Sequence, residues 1–307
     1  MHKEDDRSEK VAVVIPIYKN NLETFEEIAL EQCLRVLKQH RIFVVKPHSL
    51  QLDILNDHNR IDYISFDDAY FESRHGYNQL MLSDSFYEQF LGFQYILIYQ
   101  LDAFVFADTL LEWCDKGYDY IGAPWLREKK YSDIFKAIKS KLLIAVHTRL
   151  NIKQPNSDLP TDIQFENKVG NGGLSLRRVQ KFYDVCKRYK SRLTKYLDRT
   201  EHYFNEDVWW GVELNRKSSL LRIPGYKKAI FFAFENAPER AWELTGGELP
   251  FGCHAWNMHL DFWTTHFDME TFFKRKKKAK LYVASLNPEK QEEAKEVKEL
   301  SRVPKAV

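Results

Sequence analysis

The sequence predicts an α/β fold with a mainly parallel central sheet flanked by helices, and three observations support this prediction. Residues 11–17 (VAVVIPI) form an unbroken, largely β-branched apolar run, which is typical of a strand covered on both faces. Apolar runs and amphipathic segments then alternate along the N-terminal part of the chain, as in βαβ units. The 307 residues, 44% of them apolar, are enough to bury one large core.

Each N-terminal element has its own signal. Asn20 and Asn21 are expected to cap a first helix over LETFEEIALEQCLRVLKQH, because apolar residues recur there at helical spacing. Two strands are expected next, at RIFVVKP and IDYISF. A helix through YNQLMLSDSFYEQFLGF and a strand over residues 95–102 complete this part of the fold.

The pattern loosens beyond residue 125, where a helical segment leads into a polar, proline-containing loop of the length that often forms a lid or substrate loop. A short strand and a helix are expected within GNGGLSLRRVQKFYDVCKRYKSRL, and a further helix over residues 205–217. We expect a polar N-terminal tail at 1–10, one domain at 11–268, and a basic, helical C-terminal tail at 269–307.

Charge and cysteine content argue against a nucleic-acid-binding protein, a zinc ribbon and a secreted disulfide-linked protein. The 46 basic and 44 acidic residues create no global basic field, so we expect no nucleic-acid partner. The four cysteines have no C-x-x-C spacing, and the first ten residues lack the apolar core of a signal peptide. We therefore expect a cytoplasmic protein with reduced thiols and no spanning helix.

Residues 274–280 contain six basic residues in seven, the strongest charge block in the sequence. Two interpretations stay open: a solvated helical tail, or a patch that holds the protein on an anionic membrane surface.

Asp102 comes directly after YILIYQL, a largely apolar run, where a carboxylate is unexpected. An ionised carboxylate taken out of water needs a partner, a metal ion or a surface. Ligands of open α/β sheets bind beyond the carboxyl ends of the strands. We therefore expect Asp102 to face one ligand together with the residues that close the first strand, Pro16, Ile17 and Tyr18.

Three further motifs each allow a structural and a functional interpretation. The GNGG segment at 170–173 suits either a tight turn or a wall against which a sugar or phosphate lies. Glu206 and Asp207, with no basic residue close in sequence, either complement a helix dipole or provide a general base. His254 is either a structural histidine among aromatic residues or a polar donor beside a carbohydrate platform.

Taken in order over residues 11–267, the motifs VVIPIY, YQLDAF, NGGLSLR, NEDVWWG and PFGCHAW resemble the GT-A type of nucleotide-sugar glycosyltransferases. The sequence is most similar to an uncharacterised, mostly bacterial family of glycosyltransferase-like domains of unknown function. The resemblance implies a GT-A-like (Rossmann-like) fold with a single catalytic domain. It also implies sugar transfer from a nucleotide-diphosphate sugar to a hydroxyl of a glycan or lipid-linked acceptor.

The resemblance also implies roles for individual residues. GT-A enzymes usually carry a metal-binding D-x-D triplet, which corresponds here to Gln100-Leu101-Asp102, so that Gln100 replaces the first carboxylate. A divalent cation, Mn²⁺ or Mg²⁺, is accordingly expected at Asp102, with His254 as a further contact to the metal or the diphosphate.

The remaining implied roles concern the donor and the acceptor. The segment that closes the first strand is expected to cradle the nucleotide base and ribose. Residues expected beside the donor sugar and acceptor are Asn171, Gly172 and Gly173. Glu206 and Asp207 match the catalytic acidic pair, in which Asp207 is the general base of an inverting enzyme.

The neutral side chain of Gln100 keeps two alternative hypotheses open. The first is a non-catalytic module that binds a nucleotide sugar or carbohydrate on the same fold. The second is a sugar nucleotidyltransferase, which also uses a metal-bound diphosphate.

Overall fold

The computed structural model describes residues 10–52 and 61–267. The strands of the central sheet are β1 (Val11–Pro16), β2 (Arg41–Pro47), β3 (Ile61–Phe66), β4 (Tyr95–Tyr99), β6 (Tyr120–Gly122) and β7 (Leu174–Arg178). A second, three-stranded sheet consists of β5 (Phe104–Val105), β8 (Ala233–Phe234) and β9 (Gly252–Cys253).

The α-helices of the first compact unit, which ends at Met258, are α1 (Thr24–Val36), α2 (Arg74–Met81), α3 (Asp84–Glu88), α4 (Leu110–Asp115), α5 (Ile134–Leu150), α6 (Val179–Arg188), α7 (Lys190–Leu197), α8 (Glu206–Val208), α9 (Tyr226–Ala229) and α10 (Pro238–Thr245). A π-helix, Trp209–Glu213, continues α8. The second unit begins at His259 and contains α11 (Leu260–His266).

The order of the central sheet is β3-β2-β1-β4-β7-β6. The first four strands in this order are mutually parallel, whereas β7 runs antiparallel to both of its neighbours. The predicted α/β architecture, with a mainly parallel central sheet flanked by helices, is confirmed.

Two hydrophobic clusters on opposite faces of the sheet explain why the central strands read as unbroken apolar runs. Because successive strand residues point to opposite faces, Val13 and Leu97 enter one cluster whereas Val14 and Ile96 enter the other. All residues of β1 and β4 are buried. Each strand therefore needs apolar side chains at every position.

Two predicted helices differ from those in the structure because local capping sets their limits. Helix α1 begins at Thr24, since Glu23 and Glu26 form a capping box, and the predicted asparagine cap is wrong. The helix expected through residues 77–93 is split into α2 and α3. Ser83 ends this continuity because its Oγ accepts from the Phe86 N–H at 3.2 Å and caps α3.

Two further predicted elements are shorter than expected. Strand β4 ends at Tyr99, so Asp102 lies in the turn that follows, where the Ala103 N–H donates to the Gln100 carbonyl at 2.9 Å. The helix expected over 205–217 is the short α8 and the π-helix after it. Such π-helical turns are frequent at functional sites.

The expected N-terminal tail lies outside the described residues except for Lys10, and the expected tail at 269–307, with its basic segment 274–280, lies outside them entirely. The predicted limits of the three parts stay predictions. Within residues 10–52 and 61–267, no helix combines the length and the apolar character needed to cross a membrane.

Candidate functional site

A cavity of about 480 Å³ opens at the carboxyl ends of β1 and β4. One wall is the end of β1 and the residues after it, and the floor is the turn after β4. This cavity brings together the residues that the sequence grouped on one edge, Pro16, Ile17, Tyr18, Gln100 and Asp102. The rule that ligands lie beyond the carboxyl ends of strands predicted this grouping, and contact of these residues with a ligand stays a prediction.

The opposite wall of this first cavity was missed by the sequence analysis. It is the end of the segment between β3 and α2 together with the first turn of α2, with the residues Tyr70, Phe71, Glu72, Ser73, Arg74 and Tyr77. Ser73 fixes this wall, since its Oγ accepts from the Gly76 N–H at 3.0 Å and caps α2. The segment follows a parallel strand, so the same edge rule would have found it.

Three side chains that each follow a strand meet next to the first cavity, which Asp102 alone among them lines. His254 follows β9, and its Nε2 lies 3.1 Å from Oδ1 of Asp102. Its Nδ1 lies 2.9 Å from Oε1 of Glu235, which follows β8. The amide of Asn171 also reaches this nitrogen, at 3.0 Å. The imidazole is thus held between two carboxylates.

The contacts among these residues set the protonation states of His254 and Asp102. Burial lowers the pKa of His254, but contacts with Asp102 and Glu235 outweigh it and raise the pKa to about 10. Burial also opposes ionisation of Asp102, yet contact with His254 lowers the pKa of this carboxyl below its ordinary value. Both partners therefore favour their charged forms at neutral pH when no other cation is bound.

The same two groups could hold a divalent cation. Oδ1 of Asp102 and Nε2 of His254 are buried, and neither has an aligned hydrogen-bond partner among the described residues. A carboxylate oxygen and a neutral imidazole nitrogen that face each other suit such an ion. Nowhere in residues 10–52 and 61–267 do three or more His, Cys, Asp or Glu side chains form a metal-binding group. A cation here would complete its coordination with water and substrate oxygens.

The Asn171–Gly173 segment lines neither the first cavity nor the second one described below, and its backbone does not depend on glycine flexibility. Asn171, not its glycine neighbours, has the positive φ, at 93°. A Cβ added to Gly173 would lie 2.0 Å from Nε2 of His254, and one added to Gly172 would lie 2.2 Å from Oε1 of Glu206. These positions require glycine because the side chains of His254 and Glu206 press against the backbone.

Glu206 has a basic partner in three dimensions, contrary to what its sequence neighbours suggest. Nη2 of Arg177, on β7, donates to Oε1 of Glu206 at 2.9 Å, and both side chains are buried. The guanidinium also donates to the Tyr87 hydroxyl and the Ser175 hydroxyl, at 2.9 and 3.0 Å. Burial nevertheless raises the pKa of Glu206, and its side chain lines neither the first cavity nor the second one described next.

Asp207 faces a second cavity, of about 310 Å³. Aromatic and histidine rings make up much of its wall: Trp125, Phe165, His202 and Tyr203. Burial, together with the negative charges of Glu206 and Glu235, raises the pKa of Asp207 to about 7. Its carboxylate is therefore close to half-protonated at neutral pH, which suits a general base.

Comparison with known proteins assigns the chain to a family. Residues 60–254, more than half of the chain, match the family model described as "Protein of unknown function (DUF5672)". The chain belongs to this family. No curated protein sequence matches this DUF5672 chain.

The DUF5672 structure also resembles solved glycosyltransferases, at low identity. The galactosyltransferase LgtC, solved with donor and acceptor sugar analogues, is 13% identical, with a TM-score of 0.47 over 79% of this chain and 86% of LgtC. Core-mannan synthase A from Aspergillus fumigatus, in an Mn/GDP form, is 9% identical, with a TM-score of 0.46 over 71% and 73% of the two chains. The glycosyltransferase GlyE of Streptococcus pneumoniae is 12% identical, with a TM-score of 0.44 over 80% of this chain and 54% of GlyE. Similarity at this level carries no information about activity.

The matched region of the DUF5672 chain contains Asp102, Asp207, Glu235 and His254, and it ends at His254. Glu235 is a second part of the candidate site that the sequence analysis missed although a signal existed. It directly follows the apolar run AIFFAF, just as Asp102 follows an apolar run. A carboxylate placed after a buried strand was therefore informative at both positions.

Proposed function

We propose that this DUF5672 protein is a glycosyltransferase that moves a sugar from a nucleotide-diphosphate sugar to a hydroxyl of a glycan or other acceptor. One observation carries the proposal: two cavities lie on either side of one short backbone segment. A Cβ added to Gly173 would lie 2.8 Å from Oε1 of Gln100, which lines the first cavity, and one added to Gly172 would lie 4.0 Å from Cβ of Asp207, which lines the second. Group transfer requires a donor and an acceptor held next to each other in this way.

The first cavity suits a nucleoside diphosphate. Its wall offers aromatic rings on which a base can stack, among them Tyr18, whose side chain is 56% exposed, and Phe71. Arg74 provides positive charge for phosphate oxygens, and Lys19, which pairs with Glu26 at 2.8 Å, is a second basic group in the wall. Asp102 and His254 would hold the Mn²⁺ or Mg²⁺ ion, which when bound supplies charge stabilisation for the departing diphosphate.

The second cavity suits a sugar acceptor, because aromatic rings pack against the apolar faces of sugars while polar groups bind their hydroxyls. In the proposed reaction, the acceptor oxygen bonds to the anomeric carbon as the bond from that carbon to the diphosphate breaks. The hydroxyl proton passes to Asp207. Glu206, fixed by Arg177, is proposed as a positioning residue that keeps the start of α8 in place.

The direct test is release of nucleoside diphosphate from UDP-, GDP- and dTDP-sugars by the full chain, with and without Mn²⁺ or Mg²⁺. We expect turnover of at least one donor, which depends on the metal and falls in Asp102→Asn. The matched control is Asp115→Asn, an exposed carboxylate that pairs with Lys10. Absence of binding and turnover for every donor would reject the proposal.

A non-catalytic binding module is the second candidate, because the described residues offer only two metal ligands and Gln100 stands where a carboxylate is usual. Calorimetry with the same donors separates the two functions. Metal-independent binding without any product, unchanged in Asp207→Asn, would favour the module.

A further inference from the structure

Helix α5 presents its apolar side chains to solvent. Residues four apart are neighbours on a helix surface. Here Ile134, Ile138, Leu142, Val146 and Leu150 form a row that winds over nearly half of the helix circumference, called the apolar stripe below. Phe135 and Leu143 widen the stripe. The exposed fractions of all seven side chains range from 43% at Leu143 to 80% at Phe135. An exposed apolar surface of this size on one element marks an interaction site.

Polar side chains make two of the contacts between α5 and neighbouring residues. The Ser140 hydroxyl lies 2.8 Å from the Tyr131 hydroxyl, and Nδ1 of His147 lies 2.8 Å from Oγ1 of Thr161. Ile144 is the single α5 residue that is buried. The helix thus exposes most of its apolar side chains, whereas an ordinary surface helix turns its apolar side to the core.

The charges of α5 indicate what covers the stripe. The helix contains four basic residues, Lys136, Lys139, Lys141 and Arg149, and no acidic residue. Lys136 lies 3.7 Å from Asp133 at the helix start. The other three have no carboxylate within ion-pair distance among the described residues. Because long basic side chains can keep their charged ends in the headgroup layer, a helix that mixes exposed apolar side chains with unpaired basic groups can bury the apolar ones at a membrane surface.

We propose that α5 docks the protein on an anionic membrane surface, with the apolar stripe at the boundary between headgroups and acyl chains. A second copy of the chain is a poorer occupant, because the same basic groups would face each other across a two-fold interface. The lysines would instead contact lipid phosphates.

Docking through α5 does not depend on the proposed activity, but it bears on the acceptor. Helix α5 packs against the 3₁₀-helix Asp162–Gln164, and Asp162 and Phe165 line the second cavity. A docked α5 would bring that cavity close to the lipid surface. If the proposed function is correct, this placement favours a lipid-linked acceptor.

A fluorophore at the stripe tests the docking in the full chain. The four native cysteines are buried, so a Leu142→Cys variant can be labelled selectively with an environment-sensitive dye. We expect a blue shift and a several-fold rise in emission with phosphatidylcholine vesicles that contain phosphatidylglycerol, but not with phosphatidylcholine alone. Salt should weaken the response. The same dye at Leu249→Cys, an exposed position in the segment between α10 and β9, should not respond.

Charge reversal tests the choice of an anionic surface. In the labelled chain, Lys139→Glu with Lys141→Glu should raise the lipid concentration for half-maximal response by about tenfold or more. Lys38→Glu with Lys195→Glu, an exposed matched pair outside α5, should leave it unchanged.

Three outcomes would overturn the inference. Unchanged emission from the dye at position 142 would overturn it even if the chain binds vesicles, since another segment would then bind the membrane. Emission that rises with protein concentration in the absence of lipid would show that the stripe is an interface between two copies. A lipid response of the dye that is unchanged in Lys139→Glu with Lys141→Glu would rule out recognition of anionic lipid.

Discussion

At the scale of single residues, Glu206 and Asp207 show how two adjacent acids acquire different properties. Glu206 points into the interior, where the Arg177 guanidinium holds it. Asp207 points into the second cavity, and no described residue supplies it with a salt-bridge partner. The first acid therefore stabilises the local structure, whereas the second keeps a proton affinity suited to proton transfer.

The raised pKa of Asp207 predicts a pH-dependent rate. Only the deprotonated carboxylate accepts the hydroxyl proton, so kcat/KM should rise with pH through about 7 and level off above it. Asp207→Asn should remove this rise and lower kcat by about 10²- to 10⁴-fold. Initial rates over a pH series check both effects. A wild-type profile that is flat between pH 5 and 9 would contradict the role.

The same pKa shift predicts how stability depends on pH. The pKa of Asp207 is higher in the folded protein than its ordinary value of 3.8, so the folded state binds this proton more tightly. The contribution of Asp207 to the free energy of unfolding should therefore fall as pH rises from about 4 to about 7. Urea titrations of the wild type and Asp207→Asn at both pH values measure this. The variant should gain stability relative to the wild type at the higher pH.

The buried Arg177–Glu206 pair predicts a large effect when one partner is removed. Arg177→Met leaves a buried carboxylate without its partner and should cost about 3–5 kcal/mol in the free energy of unfolding. The matched control is Arg41→Met, which breaks an exposed pair with Asp62 and should cost about 0–1 kcal/mol. Arg177→Met combined with Glu206→Leu should recover much of the loss. Equal costs for the two arginine variants would contradict this account.

At the scale of elements, the sequence predicted strands better than helix limits. β1 and β4 were recognisable because both of their faces are buried, which forces continuous apolar runs. The predicted start of α1 was wrong. Glu23 and Glu26 cap this helix through reciprocal contacts, whereas the asparagines just before them are the residue type that usually caps a helix and suggested an earlier start. The Arg177–Glu206 contact depends on β7 and α8 packing together, which no local pattern reveals.

The close approach at Gly173 predicts an effect on the site that does not require unfolding. Gly173→Ala places a methyl group 2.0 Å from Nε2 of His254 and 2.8 Å from Oε1 of Gln100, so the imidazole must move. We expect a loss of metal-dependent activity and a stability cost of about 1–3 kcal/mol. Gly92→Ala is the matched control, since its Cβ meets no atom within 4 Å. Full activity in Gly173→Ala would show that the position of His254 is unimportant.

At the scale of the whole molecule, the strand order explains where the first cavity lies. β1 pairs with β2 on one side and with β4 on the other. The chain therefore runs from β1 through β2 and β3 toward one edge of the sheet, and it then returns to place β4 on the other side of β1. The carboxyl ends of β1 and β4 therefore form the switch point, where neighbouring connections diverge and leave a crevice. The cavity lined by Pro16 and Gln100 lies at this point.

A ligand in this crevice should stabilise the whole first unit by mass action. A nucleoside diphosphate with Mn²⁺ at about 100 times its Kd should add about 2.7 kcal/mol to the free energy of unfolding. This corresponds to a rise in Tm of roughly 5–10 °C for a unit of this size. Asp102→Asn should remove the metal-dependent part of the rise, and Tyr18→Ser should weaken the response with and without metal. Tyr63→Ser, on β3, is a matched control because Tyr63 is similarly exposed but does not line the cavity. If the rise in Tm is the same without Mn²⁺ and in Asp102→Asn, then Asp102 and His254 do not hold a cation, and the crevice binds the nucleotide through its rings and basic side chains alone.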